Sequence, residues 1–197
     1  MYDHVKRLFD IPRHQQKSYP KKDAFTAKIN GEWKPTSIDT MLSEAMQVSK
    51  ALLNLGIGKG DKIGLISNNR PEWISMDCGI LQVGAVDVPI YPTISAEDYK
   101  YIFNDAELKY CFVSDIELFE KVNSIKDQVP SLKGVYSFDH LDGVEHWTAF
   151  LKAAEGKEDA EVEAIMDSID ENDLATLIYT SGTTGVPKGV MLSHKTW

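Results

Sequence analysis

The chain reads as α/β, a mostly parallel, doubly wound sheet flanked by helices. From residue 62 onward short apolar strands alternate with helical patterns, which implies parallel strands joined by crossover helices on both faces. Helix start signals fall between those strands, at Pro71, Ser95 and Asp115. The chain has 197 residues, 43% of them apolar and 26% charged. At that length roughly 70% of the unfolded surface is buried on folding, so a core forms without disulfides or metals.

Each element has a local cause. Ala24 to Ile29 and Glu32 to Ser37 flank Asn30-Gly31, whose types suit the two positive-φ positions of a hairpin turn. Leu42, Ala45, Met46, Ser49, Leu52 and Leu53 recur at helical spacing from about Asp39 to Leu55, and Gly56 ends that helix. Gly56, Gly58 and Gly60 follow a helix and precede a strand, so they form a turn and not a dinucleotide fingerprint.

Strands are expected at Lys62–Ser67, Val86–Ile90, Tyr110–Val113 and Val135–Phe138. Helices are expected from Pro71 to about Val83, from the Ser95/Asp98 capping box to about Asn104, from Asp115 to before Pro130, and from Val144 to Ala154. Val162, Ile165, Met166 and Ile169 make the stripe of a short acidic surface helix.

Composition excludes several classes. Two cysteines form no disulfide framework, and Cys78 and Cys111 read as small buried core residues. The net charge of −9 argues against nucleic acid as a partner. That charge is uneven: residues 1–22 carry +4 and residues 155–173 carry −8. The acidity is therefore a solvated helix face and not a substrate signal. No signal peptide or membrane span is visible, so a cytoplasmic location is the default expectation. Val5, Leu8 and Phe9 beside Lys6, Arg7 and Arg13 read as a docked terminal helix, with peripheral membrane contact as the alternative. Trp33, Trp73 and Trp147 are expected in or near the core. His140 and His146 read as surface residues, and His194 as a residue at a helix start.

The chemistry concentrates in the last stretch. An apolar strand, Leu174 to Tyr179, runs into a loop rich in glycine and hydroxyls, and a second apolar strand follows from Val190 to Ser193. Gly182, Gly185 and Gly189 let a ligand approach the main chain. Successive N–H groups can form a concave nest for an anion. Thr180, Ser181, Thr183 and Thr184 add hydroxyls, and Lys188 adds a positive charge suited to phosphate. The sum is a polyphosphate cradle. It is not a Walker A loop, because Pro187 stands where that pattern needs its glycine–lysine pair.

The string from Tyr179 to Gly189, Tyr-Thr-Ser-Gly-Thr-Thr-Gly-Val-Pro-Lys-Gly, resembles the phosphate-binding signature of the adenylate-forming superfamily, with Val186 at its free position. Ile66-Ser-Asn-Asn-Arg-Pro-Glu-Trp73 and Val88-Pro-Ile-Tyr-Pro-Thr93 are similar to its long-chain fatty acid–CoA ligase branch. The resemblance implies the N-terminal portion of that fold, with ATP, Mg²⁺ and coenzyme A as cofactors and a long-chain fatty acid as substrate. It places Thr180, Ser181, Gly182, Thr183, Thr184, Gly185 and Lys188 on the phosphates and makes Thr183 or Thr184 a metal neighbour. It places the catalytic lysine, the metal-binding glutamate and the coenzyme A site outside these residues.

On this reading residues 1–22 are an arm, 23–154 an α/β core, 155–173 the acidic helix and linker, and 174–197 the strand, loop and strand. Ser193 to Trp197 reads as the first turn of a further helix. The expectation is an N-terminal fragment without turnover of its own, completed by a missing C-terminal part. A non-catalytic module of the same family, or a ligase for another acid, are the alternatives.

Overall fold

The computed structural model describes residues 5–29, 31–181 and 186–196. Eight strands and seven helices follow one another among them. Helix α1 (Asp10–Ser18) leads to strands β1 (Phe25–Ile29) and β2 (Glu32–Thr36), then α2 (Ile38–Asn54). The strand–helix alternation follows: β3 (Lys62–Ile66), α3 (Pro71–Gln82), β4 (Val86–Pro89), α4 (Ala96–Asp105), β5 (Tyr110–Val113), α5 (Ile116–Asn123), β6 (Gly134–Ser137) and α6 (Trp147–Leu151). Helix α7 (Asp159–Ser168) and strands β7 (Leu174–Thr180) and β8 (Lys188–Ser193) complete the chain.

The expected fold class holds. Six strands form one sheet in the order β6-β5-β3-β4-β7-β8, all parallel except the antiparallel pair β7–β8. Strands β1 and β2 form a separate antiparallel hairpin with Lys28 opposite Trp33. Gly31 takes φ +84° in its turn, which a side chain would strain. The predicted caps are present. Ser95 Oγ accepts from Asp98 N at 3.1 Å while Asp98 Oδ2 accepts from Ser95 N at 3.2 Å. Asp115 Oδ1 accepts from Leu118 N at 3.1 Å. Ser37, read from sequence as the end of a strand, instead caps α2, its Oγ accepting from Thr40 N at 3.0 Å.

Helices α2, α3 and α6 cover one sheet face, burying Val48, Leu52, Met76, Ile80 and Phe150 against Ile63, Leu65 and Phe112. Helices α4 and α5 cover the other, burying Tyr99, Phe103, Leu118 and Val122 against Val86, Val88, Cys111 and Val113. Cys78 and Cys111 are free and buried, as their surroundings suggested. Val162 and Met166 of the acidic helix are buried, and its charges face outward.

Residues near the two ends of the described chain meet. Phe9 is 1% exposed, and His194, at 0%, packs edge-on against its ring. His194 Nδ1 accepts from Leu8 N at 3.4 Å. Arg7 donates to the carbonyls of Met166 and Ile169 and pairs with Asp10 at 3.0 Å. The expected docked helix is thus corrected in part: the segment docks through Phe9 in a turn, and helix α1 begins only after it, at Asp10. Among the described residues no helix is long and apolar enough to cross a membrane.

Four further expectations are corrected. Helix α6 starts at Trp147 and not at Val144, because Ser137 bridges His146 in parallel and Ser137 N donates to Glu145 O at 2.9 Å, which holds the approach extended. His146 is no plain surface residue: its Nδ1 accepts from Thr148 N, its Nε2 donates to Phe138 O at 2.8 Å, and its ring stacks on His140. Trp33 is 68% exposed, because its hairpin lies outside the main sheet, whereas Trp147 is buried. His194 starts no helix through residue 196. Ser193 to Thr196 closes a tight turn, and the imidazole turns inward. Trp197 lies outside the described residues.

Two tests follow from the packing. A Cβ at Gly79 meets Val48 Cβ at 2.6 Å and the Ala45 carbonyl oxygen at 2.7 Å, so α2 and α3 pack backbone to backbone there. Gly79→Ala therefore destabilises the chain by about 1–3 kcal/mol in urea unfolding. Burial of His194 is the largest influence on its pKa, and with Arg7 nearby it brings the value down to about 4. The native state then refuses a proton that the unfolded chain accepts. Stability is full above the ordinary histidine range and is lost as pH falls from about 6.5 toward 4. His194→Asn keeps an acceptor for Leu8 N and flattens that acid limb.

Candidate polyphosphate site

The loop-bearing strands are positioned by their own alternation. Along β7, Leu177 and Tyr179 are buried in the core under α4, and Ile178 faces the other way. Thr180 is the last residue of β7 and pairs across the ladder with Lys188, the first of β8. The turn between them therefore begins and ends at one edge of the sheet.

Tyr179 anchors that edge. Its hydroxyl donates to Asp105 Oδ2 at 2.6 Å, at the end of α4. Burial, then the bond to Asp105, push the phenol well above its ordinary range, so it stays a protonated donor. Its ring lies against Gly189, where an added Cβ would sit 3.2 Å from Tyr179 Cζ. Glycine at 189 is thus set by close approach. Sequence reasoning placed Gly189 in the loop's chemistry but missed the Tyr179–Asp105 bond, which spans 74 positions and leaves no local signal.

Thr180, Ser181 and Lys188 are exposed at this edge. Lys188 has no ion pair among the described residues, in contrast to Lys59, Lys157 and Lys195, each paired with a carboxylate. Its charge is therefore available to a ligand. Gly182, Thr183, Thr184 and Gly185 lie outside the described residues. Among the described residues no cluster of three or more histidine, cysteine or acidic side chains could hold a metal ion.

A cleft of about 430 Å³ opens at the carboxyl ends of β3, β4 and β7, lined by Leu65, Ser67, Trp73, Ile90, Tyr91 and Ile178. Crevices at the carboxyl ends of parallel strands are where ligands of open α/β sheets bind. Ile178 places this cleft two residues before the loop. A second cleft, of about 630 Å³, continues past Trp73 to Trp33 on the hairpin. Arg70 at that junction is already committed. It pairs with Glu72 at 3.1 Å and Asp139 at 3.0 Å and lies over the Phe138 ring. It therefore braces the turn before α3 and offers no free charge.

Comparison with known proteins agrees with this fold. A long-chain-fatty-acid–CoA ligase of Xenopus laevis is 32% identical over 181 residues, spanning 88% of this chain and 24% of the relative. One from Mycobacterium bovis is 34% identical over 166 residues, spanning 84% of this chain and 28% of the relative. The chain thus spans about a quarter of the length of the curated relatives it matches. The crystal structure of an anthranilate CoA ligase in complex with anthranoyl-AMP superposes with a TM-score of 0.75 at 25% identity, covering 96% of this chain and 35% of that one. The family model described as AMP-binding enzyme matches residues 12–197, so the chain belongs to the AMP-binding enzyme family.

Proposed function

We propose that these residues are the N-terminal portion of the AMP-binding domain of a long-chain fatty acid–CoA ligase, an acid–thiol ligase that uses ATP. In that reaction a carboxylate oxygen attacks the α-phosphorus of ATP, forming an acyl–adenylate bond and releasing pyrophosphate. The coenzyme A thiol then attacks the acyl carbon, loses its proton and releases AMP. The single observation that carries the reading is Lys188, without an ion pair among the described residues, opposite Thr180 at the mouth of a signature-bearing turn.

The charge of the reactants explains why such a turn is needed. A carboxylate and a polyphosphate repel, so the attack requires preorganised positive charge and N–H donors around the phosphates. Thr180, Ser181 and Lys188 supply hydroxyls and charge from the described residues; Gly182, Thr183, Thr184 and Gly185, outside them, are assigned to the phosphates by the signature alone. Bound Mg²⁺ would supply further charge neutralisation, with Thr183 or Thr184, outside the described residues, as its expected neighbour. The fatty-acid class is supported by the names of the two relatives, each at least 32% identical. An aromatic acid is the second reading, supported by the anthranilate ligase structure. A panel of fatty and aromatic acids, tested on a protein carrying the family's remaining length, separates the two.

Titration calorimetry with Mg·ATP and with pyrophosphate tests the site itself. Lys188→Ala is expected to weaken both at least about tenfold, the loss of one charge-assisted contact. Equal affinity in the variant contradicts the assignment. A thioester-formation assay on the 197 residues alone is expected to show no turnover.

A further inference from the structure

Helix α4 ends on two residues that its local physics disfavours. Its last residue is Asp105, a carboxylate at a helix C-terminus, where the partial negative charge of the free carbonyls repels it. Two positions on, Glu107 takes φ +53°, the left-handed conformation in which helices usually end on glycine. Glu107 N donates to Asn104 O at 3.2 Å and Leu108 N to Phe103 O at 3.0 Å, which closes the helix end in that form. The last turn of α4 has no basic residue to offset either acid. Local conflicts of this kind mark residues that serve something outside their own element.

Asp105 serves the strand beside it. Its Oδ2 accepts the Tyr179 hydroxyl at 2.6 Å. Tyr179 is 7% exposed, so a hydroxyl deprived of that acceptor has little water to turn to. Across the ladder Tyr179 pairs with Gly189, and Thr180 with Lys188. The Tyr179 ring also lies on Gly189, so closely that a Cβ there would sit 3.2 Å from Tyr179 Cζ. One side chain therefore supports both flanks of the turn, Thr180 directly after it and Lys188 directly before Gly189. We propose that Asp105 is a positioning residue for the polyphosphate turn, acting through the Tyr179 ring on Thr180 and Lys188. The proposal rests on the polyphosphate reading given above.

The sign of the effect separates this role from a direct one. A carboxylate has no proton to donate to a phosphate, and its charge repels one, so by charge alone Asp105→Ala would tighten binding. Positioning predicts the reverse. A phenol released from Asp105 lets the ring shift, and the Gly189 backbone and Lys188 shift with it. The acceptor itself is braced. Asn104 Nδ2 donates to Lys100 O at 2.8 Å and to Gln128 O at 3.1 Å, which ties the end of α4 to the segment after α5.

The test is calorimetry with Mg·ATP and with pyrophosphate on the 197-residue chain, Asp105→Ala, Asp105→Asn, Tyr179→Phe and the double variant Asp105→Ala/Tyr179→Phe, each shown to be folded by urea unfolding. Asp105→Ala and Tyr179→Phe are each expected to weaken both ligands by about fivefold to tenfold, the loss of one hydrogen bond. Asp105→Asn keeps an acceptor oxygen without the charge and stays within about twofold of the wild type. The double variant binds no more weakly than Tyr179→Phe, because the route is already cut. Unchanged or tighter binding in Asp105→Ala overturns the proposal, and so does equal weakening in Asp105→Asn. Lys188→Ala keeps the two claims apart. If it weakens binding and Asp105→Ala does not, the proposal falls and the polyphosphate reading stands. If it changes nothing, the reading falls and takes the proposal with it. If Tyr179→Phe fails to fold, the two Asp105 variants decide. If the wild-type chain binds neither ligand, amide exchange decides. Faster exchange at Thr180, Lys188 and Gly189 in Asp105→Ala, restored in Asp105→Asn, supports the proposal, and equal exchange in both and in the wild type overturns it.

Discussion

The site depends on the seating of β7. This strand enters the sheet beside β4 through one ladder pair, so backbone bonding to the parallel strands contributes little to holding it. Its side chains do the holding. Leu177 and Tyr179 bury under α4, and the Tyr179 hydroxyl reaches Asp105 at 2.6 Å. Fully burying a side chain of that size stabilises by roughly 1.5–3 kcal/mol. Two such residues and a charge-assisted hydrogen bond outweigh a sparse ladder. Thr180 follows Tyr179 directly, so the anchor sets the starting point of the β7–β8 turn to within one residue.

The return strand is held differently. Strand β8 lies at the sheet edge, bonded to β7 alone, with Val190 and Met191 exposed at 42% and 69%. Gly189 is its fixed point, pressed on the Tyr179 ring. Beyond β8 the chain turns inward at His194, which joins the N-terminal segment through Leu8 and Phe9. Arg7 continues that contact to the end of α7, and Lys59 pairs with Asp173 just before β7. The segments flanking the turn are therefore tied to the body on both sides.

Much of this was legible because its causes are local. Ser95 with Asp98, Asp115 and Pro71 mark helix starts through bonds made within a few residues, and Tyr110–Val113 is an apolar run whose bounds are those observed. The turn proposed for polyphosphate stood out because glycines, hydroxyls and a lysine are contiguous in the sequence. What sequence could not show is long-range. Nothing local says that β7 lies beside β4 and not beside β6. The Tyr179–Asp105 bond and the Leu8–His194 contact each join separate elements. Trp33 misled because its size suggests burial, yet its hairpin stands outside the main sheet. The start of α6 misled because Val144 and Glu145 fit a helical pattern, while the bridge to β6 held them extended.

The central claim is that the β7–β8 turn is where polyphosphate binds. Amide hydrogen exchange with and without saturating Mg·ATP tests it directly, since bound phosphate oxygens accept from backbone N–H groups and slow their exchange. The account predicts new protection concentrated in residues 180–189, with residues of α5 and β6 unchanged. Protection that appears elsewhere and spares residues 180–189 would contradict it.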